Sequence, residues 1–313
     1  VILKPDTETL EEVVVLGYGS GKKIGSIVGS VAKVNSEKLS AKPVANAMDA
    51  LQGQVSGLQV YTSSGEPGSS SSSYIRGVGS LTADNEPLYV LDGTPVSSSV
   101  MVMMNPNDFE SVTVLKDASA AAVYGARAAY GVVIVTTKSG KKEKTRISYS
   151  GTVGFSSPIN MPQMMNSIEF ANYLNERDDN DGVKHSIPDA LIEKMQGFME
   201  NPYSEKFPGI GPNADGTGWA GSKDAVYANT DWYDYYFKKA SIRHSHNLSV
   251  TGGSDKFNYY VGLGYIYQEG LLDQVDDNLS KYNVNSKFQI QANKWLKFNF
   301  NNNLSLNILK RPM

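Results

Sequence analysis

Three histidines and two runs of charged residues are the side chains here whose types and spacing could support chemistry. His244 and His246 stand at i and i+2, which on a strand puts both imidazoles on one face. Two imidazoles could begin a metal site, but no carboxylate stands at ligand spacing, and a strand-end pair near an interface explains them more simply. Asp178, Asp179, Asn180, Asp181 and Gly182 imitate a calcium loop. Counting back from the glycine puts Arg177 at the first ligand position and Pro188 at the last, so the spacing does not support bound calcium and a solvated acidic loop is expected. The glycines leading to Gly21, Lys22 and Lys23 approach a phosphate-binding loop. The first glycine is one residue too near, however, and Lys23 stands where a magnesium-binding hydroxyl is needed, so a flexible hinge is expected. Zero cysteines remove disulfides and thiol catalysis, and there is no Gly-x-Ser-x-Gly elbow and no His-Glu-x-x-His. No enzyme, cofactor or metal is indicated.

Totals narrow the classes further. The chain has 313 residues and a formal net charge of -3, which is no electrostatic footprint for nucleic acid. The length suggests about two domains. No apolar run approaches the ~18 residues of a membrane helix, a test that β-barrels evade because their strands are only half apolar.

The elements that position these residues follow from periodicity. From residue 257 onward apolar and polar side chains alternate. Phe257, Tyr259, Val261, Leu263, Tyr265 and Tyr267 oppose Asn258, Tyr260, Gly262, Gly264, Ile266 and Gln268; residues 282–291 and 296–308 repeat the pattern. The runs reach the ~9–11 residues of a tilted transmembrane strand, with aromatic residues near their ends. Residues 146–155 and 244–251 add two more. About five wall strands are therefore expected, fewer than the ~8 of the smallest closed barrel, so the chain is expected to be part of a longer wall. Val1 begins mid-pattern without a signal peptide, and the precursor's start is expected elsewhere. Short turns join strands two to three and four to five. Short turns belong to the periplasmic side of such barrels, which puts the long segment 156–243 outside the cell.

Ahead of the wall, residues 24–140 read as a small mixed α/β domain. Val44, Met48, Leu51 and Val55 give one amphipathic helix after Pro43. Short strands are expected at 57–62, 74–78, 88–91, 111–115 and 132–138, with a mobile Gly/Ser-rich loop at 63–73. Asp117 can cap an Ala-rich turn that Gly125 ends. Residues 96–104 form a loop rich in serine and methionine, where methionines either line an adaptable surface or pack. Residues 1–23 form a linker. Within it the acidic and β-branched run Glu12, Val13, Val14, Val15, Leu16 is either an ordinary strand or a segment suited to joining another protein's sheet edge.

Five motifs occur in order: Glu12-Val-Val-Val-Leu-Gly-Tyr-Gly19, Ile75-Arg-Gly77, Pro87-Leu-Tyr-Val-Leu-Asp-Gly93, Val114-Leu-Lys-Asp-Ala-Ser119 and Val123-Tyr-Gly-Ala-Arg-Ala-Ala-Tyr-Gly-Val-Val133. Together they closely resemble the plug domain of SusC/RagA-like TonB-dependent outer-membrane transporters, and Asn229-Thr-Asp-Trp232 and Ser249-Val-Thr-Gly-Gly253 resemble the start of that family's barrel. The resemblance implies an α+β plug followed by antiparallel transmembrane strands of a large plugged barrel in the outer membrane. It implies import of an oligosaccharide or, alternatively, an oligopeptide; a surface receptor or signalling protein of the same architecture is the other reading. Implied partners are a SusD-like lipoprotein, TonB with its inner-membrane energising complex, outer-membrane lipid, and the remaining barrel strands. Glu12, Val13, Val14, Val15 and Leu16 would then be the TonB box. Arg76 and Arg127 match plug arginines that pair with barrel glutamates. Ligand contacts are expected at Leu81, Asp84 and Asn85, at Ser97, Ser98, Ser99, Met101 and Met103, and at Trp232 and Tyr233.

Overall fold

The computed structural model describes residues 13–16, 20–23, 31–40, 42, 44–62, 64–77, 85–116, 122–201 and 228–311. The N-terminal part opens with a two-stranded antiparallel sheet, β1 (Val13–Leu16) against β2 (Ser20–Lys23). The lysine-bearing segment expected as a hinge is thus extended and paired. β3 (Val31–Asn35), α1 (Ser36–Ser40) and α2 (Ala47–Leu51) follow, and then β4 (Leu58–Thr62) pairs with β5 (Ser71–Ile75). β6 (Leu88–Leu91) turns through Asp92 and Gly93, both at positive φ, into β7 (Thr94–Val96). An Asp-Gly pair is the sequence a two-residue hairpin turn of that hand requires. α3 (Ser98–Met103), β8 (Phe109–Leu115) and β9 (Val132–Thr137) complete the domain.

One mixed five-stranded sheet, in the order β3-β8-β9-β6-β7, carries the core on both faces. Val133 and Val135 of β9 join Phe109, Val112, Tyr89, Met48 and Leu51 on one side, while Val132 and Ile134 join Leu115 and Val90 on the other. A strand buried on both faces reads as a continuous apolar run, which is what residues 132–135 are. Several expectations need correcting. The helix after Pro43 covers only Ala47–Leu51; Val55 is buried, but from a turn whose carbonyl accepts the Leu58 amide. β5 begins at Ser71 rather than Tyr74, with Ser71 and Ser73 buried, so the Gly/Ser-rich loop ends earlier than its composition suggested. Residues 96–104 contain a helix rather than a loop alone. Asp117 lies outside the described residues. Gly125, at φ 67 and ψ -155, does interrupt the turn of Ala122–Ala128.

The remaining strands form an antiparallel meander in chain order: β10 (Arg146–Ser156), β11 (Ser241–Gly253), β12 (Phe257–Glu269), β13 (Asn278–Asn293) and β14 (Leu296–Lys310). Their two faces differ as the alternation requires. Leu263 and Phe300 are 46% and 56% exposed, whereas inward-facing Lys281 and Asn285 are 2% and 1%. Near the short turns the outward face carries Phe257 stacked on Phe288 at 6.1 Å, with Phe298 beside Phe300. Near the long connections it carries His244, His246, Tyr265, Tyr267 and Tyr282, and Tyr149, in register with Leu248 and Leu263, reaches His246 from the apolar band. Two aromatic girdles flanking an apolar band are the mark of a transmembrane wall.

A second unit comprises Ser157–Ala240 with Leu271–Gln274. Within it α4 (Ser167–Asp181) and α5 (Asp189–Glu200) pack through Ala171 and Met195, supported by Ile168, Leu191 and Ile192. Asn166 and Glu169 form a capping box at the start of α4. The acidic stretch expected as a loop is the last turn of that helix, ended by left-handed Gly182. α6 (Trp232–Tyr236) is short and aromatic.

Exposing an arginine on the outward face should be costly and on the inward face nearly free. In lipid vesicles, Leu263→Arg is expected to lower the unfolding free energy by about 2–4 kcal/mol, and Asn301→Arg by less than about 1. Equal losses in a denaturant titration would contradict the assigned faces.

Candidate functional site

The inward faces of the five strands form a lattice, because their register aligns residues in rows. One row is Gly154, Arg243, Gln268, Leu279, Leu309; the next two are Thr152, Ser245, Ile266, Lys281, Asn307 and Ser150, Asn247, Gly264, Asn283, Ser305. Further toward the short turns come Gly262 beside Asn285 and Tyr260 beside Lys287. The α/β domain rests on this lattice through polar contacts.

Each contact uses a backbone or side-chain group at the end of an element. Lys281 Nζ donates to the carbonyls of Ala45 and Val102, both at 2.8 Å. Asn283 donates to the Met103 carbonyl at 2.9 Å, after the last turn of α3 has left it free. Lys287 Nζ donates to Asp92 Oδ1 at 2.7 Å and to the Thr137 carbonyl at 3.0 Å. Asp92 also accepts from the Thr137 amide at 3.0 Å and from its hydroxyl at 2.8 Å. The aspartate of the Leu-Asp-Gly motif therefore does two jobs: it makes the hairpin turn, and it ties β9 to the wall. Asn105 donates to Asn247 at 2.6 Å, and Tyr260 donates to Asp108 Oδ1 at 3.0 Å. Gly262 and Gly264 make room for these two. A β-carbon at Gly262 would stand 2.5 Å from Asp108 Oδ1, and one at Gly264 would run into the Asn105 amide.

Burial pushes the Asp108 carboxyl up to about 6, against the opposing pull of the Tyr260 hydroxyl and of Lys138. Lys138 is itself lowered by burial. Sequence patterning flagged none of Asp92, Asp108, Lys281 or Lys287. The only signal for the two lysines was a cation on the polar side of an alternating strand.

The residues singled out from sequence are dispersed. Glu12 lies outside the described residues, while Val13–Leu16 form β1, whose second edge has no strand partner among the described residues. Leu81 and Asp84 also lie outside them. Asn85 is half-buried; Ser97, Ser99 and Met103 are exposed, and Ser98 is half-buried. Met101 is a correction: it is fully buried in the core beside α2 and so cannot meet a ligand. Ser97 and Ser98 do share a cavity with Glu86, Tyr130 and Arg127. Arg76 is exposed, at φ 63, with its amide donating to Gly57 at 2.9 Å. In the second unit Trp232 is exposed and stacks on Tyr236 at 5.7 Å, and half-buried Tyr233 packs against Phe237.

The two early candidates for metal chemistry resolve into other roles. His246 Nδ1 lies 2.7 Å from the Tyr149 hydroxyl, and His244 stacks on Tyr267, so both belong to an aromatic girdle. Asp178 is held near 2 by hydrogen bonds from Ser186 and Arg177, and Asp179 is bonded to His185 at 2.9 Å. Each of these two carboxylates thus has a partner within the chain.

Two outcomes follow from the contacts with the lattice. Asp108 keeps its proton when folded at pH values where an unfolded carboxyl has lost it. Its stabilising contribution is therefore complete below about pH 4 and is lost as pH rises through about 6. Asp108→Asn should raise the unfolding free energy of the α/β domain at pH 7.5, read from denaturant titration, by up to about 3 kcal/mol, and flatten its dependence between pH 4 and 7. Lys287→Met should lower stability by about 3–5 kcal/mol, because it leaves the buried Asp92 carboxylate without its cation. Combined with Asp92→Ala, which also removes the Thr137 contacts, the total loss should be smaller than the sum of the two single losses; strictly additive losses would show that the pair is not coupled.

Comparison with known proteins fits this arrangement. Residues 23–132 match the family model of the TonB-dependent Receptor Plug Domain. The chain is 34% identical to the TonB-dependent receptor SusC of Bacteroides thetaiotaomicron, over 94% of this chain and 28% of that protein. It is 34% identical to the TonB-dependent receptor P26 of Formosa agariphila, over 97% of this chain and 27% of that protein. The fold superposes on the RagAB peptide importer in its open-open state with a TM-score of 0.74 and 38% identity, covering 94% of this chain and 32% of that one. The chain thus spans between 27% and 32% of the length of these relatives. With a two-faced α/β domain seated on the polar side of a transmembrane β-meander, the chain belongs to the SusC/RagA-like TonB-dependent receptors of the outer membrane and carries their plug domain followed by strands of their barrel.

Proposed function

We propose that this chain serves TonB-dependent import of a nutrient across the outer membrane, an oligosaccharide in the first place, together with a SusD-like surface lipoprotein. One observation carries the reading: the plug keeps its main apolar core to itself and meets the wall largely through hydrogen bonds, with apolar contact confined to a few inward residues such as Leu279 and Leu309 beside Gly68. Moving such a domain exposes polar groups that water can take over, at a net ~0.5–1.5 kcal/mol for a typical neutral hydrogen bond and ~1.5–3 kcal/mol for one made by a charged group such as the Lys281 or Lys287 ammonium. Moving a domain docked through apolar surface would cost far more.

In this reading residues 12–16 are the TonB box. β1 is extended, and its second edge has no strand partner among the described residues, so strand addition there would let main-chain hydrogen bonds supply affinity for TonB. TonB, driven by the inner-membrane proton gradient, pulls that strand and remodels the plug. Arg76 and Arg127 pair with glutamates on further barrel strands. Ligand meets the plug at Leu81, Asp84, Asn85, Ser97, Ser98, Ser99 and Met103; Trp232 and Tyr233 offer an aromatic surface suited to stacking on sugar rings. An oligopeptide cargo is the second reading, supported by the likeness to the RagAB peptide importer. A surface receptor that signals without transport is the third.

Deleting residues 12–16 from the complete transporter should abolish energised uptake while leaving barrel assembly and ligand binding unchanged. Uptake that persists, or uptake indifferent to a protonophore, would favour the receptor reading.

A further inference from the structure

Between the β4–β5 hairpin and the wall lies a cavity of about 260 Å³, lined by Asp49, Glu66, Arg243, Gln268, Lys281 and Asn307 among others. It sits at the end of the wall that bears the long connections, since Arg243 is paired near the start of β11 and Gln268 near the end of β12. Among the described residues its charges do not balance. Glu66 is claimed by Arg311 at 2.5 Å, and Asp49 accepts from Ser71 Oγ at 2.6 Å and Thr62 Oγ1 at 3.2 Å. Lys281 is held by two backbone carbonyls. Counting Arg311 with Glu66, three cations face two carboxylates. The surplus falls on Arg243, which has no hydrogen-bond acceptor or ion-pair partner among the described residues. Its row neighbours, Gly154 and Gln268, bring no charge, and the glycine leaves the guanidinium uncovered: a β-carbon there would be 3.9 Å from its terminal nitrogen.

A half-buried guanidinium with no protein acceptor among the described residues keeps its donors for solvent or a ligand, and its planar fork matches a carboxylate through two parallel hydrogen bonds. We propose that Arg243 is the anchor of an anion subsite in this cavity and takes a carboxylate of the incoming ligand, with the Gln268 amide as a neighbouring donor. The proposal rests on the import reading for the identity of the occupant and narrows it to acidic cargo. The carboxylate can come from a uronic acid in an oligosaccharide or from the free C-terminus of a peptide.

The test is calorimetry on the complete transporter with its lipoprotein, in detergent. Two probe pairs separate the sources: a hexauronate against its carboxyl-reduced hexasaccharide, and a peptide free of Asp and Glu against its C-terminal amide. The acidic member of one pair is expected to bind at least about tenfold more tightly than its neutral twin, and the pair that discriminates names the source. Arg243→Gln should erase that preference, and Arg243→Lys should keep part of it. Gln268→Glu, which sets a competing carboxylate beside the guanidinium, should erase it too and serves where Arg243→Gln fails to assemble. Equal affinities within both pairs, no binding by any probe, or a preference that survives both Arg243→Gln and Gln268→Glu would overturn the proposal. Because binding in detergent needs no TonB, loss of uptake and loss of anion recognition are read independently.

Discussion

Lys281 and Lys287 sit on the inward face of one membrane strand, almost wholly buried, and their need for acceptors governs how the plug is held. An ammonium withdrawn from water costs several kcal/mol unless oxygens replace its hydration. The plug supplies them from four separate places: the carbonyls of Ala45 and Val102 at one level, and Asp92 with the Thr137 carbonyl at another. Lys281 and Lys287 are six residues apart on a straight strand, so serving both fixes the height of the plug and its rotation against the wall. The Asp92 turn, the end of β9 and the start of α2 are all placed by that demand.

Close approach is the second condition. The lysine contacts form only if backbone and wall come within hydrogen-bond reach, and Gly262 and Gly264 on the neighbouring strand allow it. Where most inward positions carry an amide or hydroxyl, these two carry nothing, and Asp108 and Asn105 occupy the space. The apolar work is done elsewhere, on the two faces of the plug sheet. Cohesion and attachment thus differ chemically, the first apolar and internal, the second mostly polar and shared with the wall, with Leu279 and Leu309 beside Gly68 as its apolar exception.

How much of this was legible in the sequence depended on whether a residue's role was periodic. All five wall strands could be read from alternation alone, because a membrane strand shows lipid one face and the lumen the other over its full length. The plug was harder. β3 and β7 have five and three residues, too few for a period to register. Val55 kept helical spacing after the helix had stopped, since a turn can bury a side chain at the same interval. Met101 could equally have lined a surface or packed, and only tertiary structure decides that. The acidic run 178–181 was misread because its charges suggested solvent, whereas Asp178 is spent on closing the loop after α4. Arg243 was invisible for another reason: a missing partner is a property of the neighbours, not of the residue.

The lattice also contains groups the plug does not satisfy. Neither side-chain atom of Asn285 has a partner among the described residues, and the oxygens of Asn283 and Asn303, in the same inward rows, also lack one. A buried amide in that condition costs roughly 1–3 kcal/mol relative to a satisfied one. A seam built for permanent docking would fill the Gly262 row with an apolar side chain and replace Asn285 by a residue packed against it. The observed chemistry does the opposite, keeping amides where stability alone favours hydrocarbon. On the import reading proposed above, those amides would gain water once the plug moved, so part of what the docked state forgoes would be returned, and the gap between the two states would narrow without weakening the plug's own core.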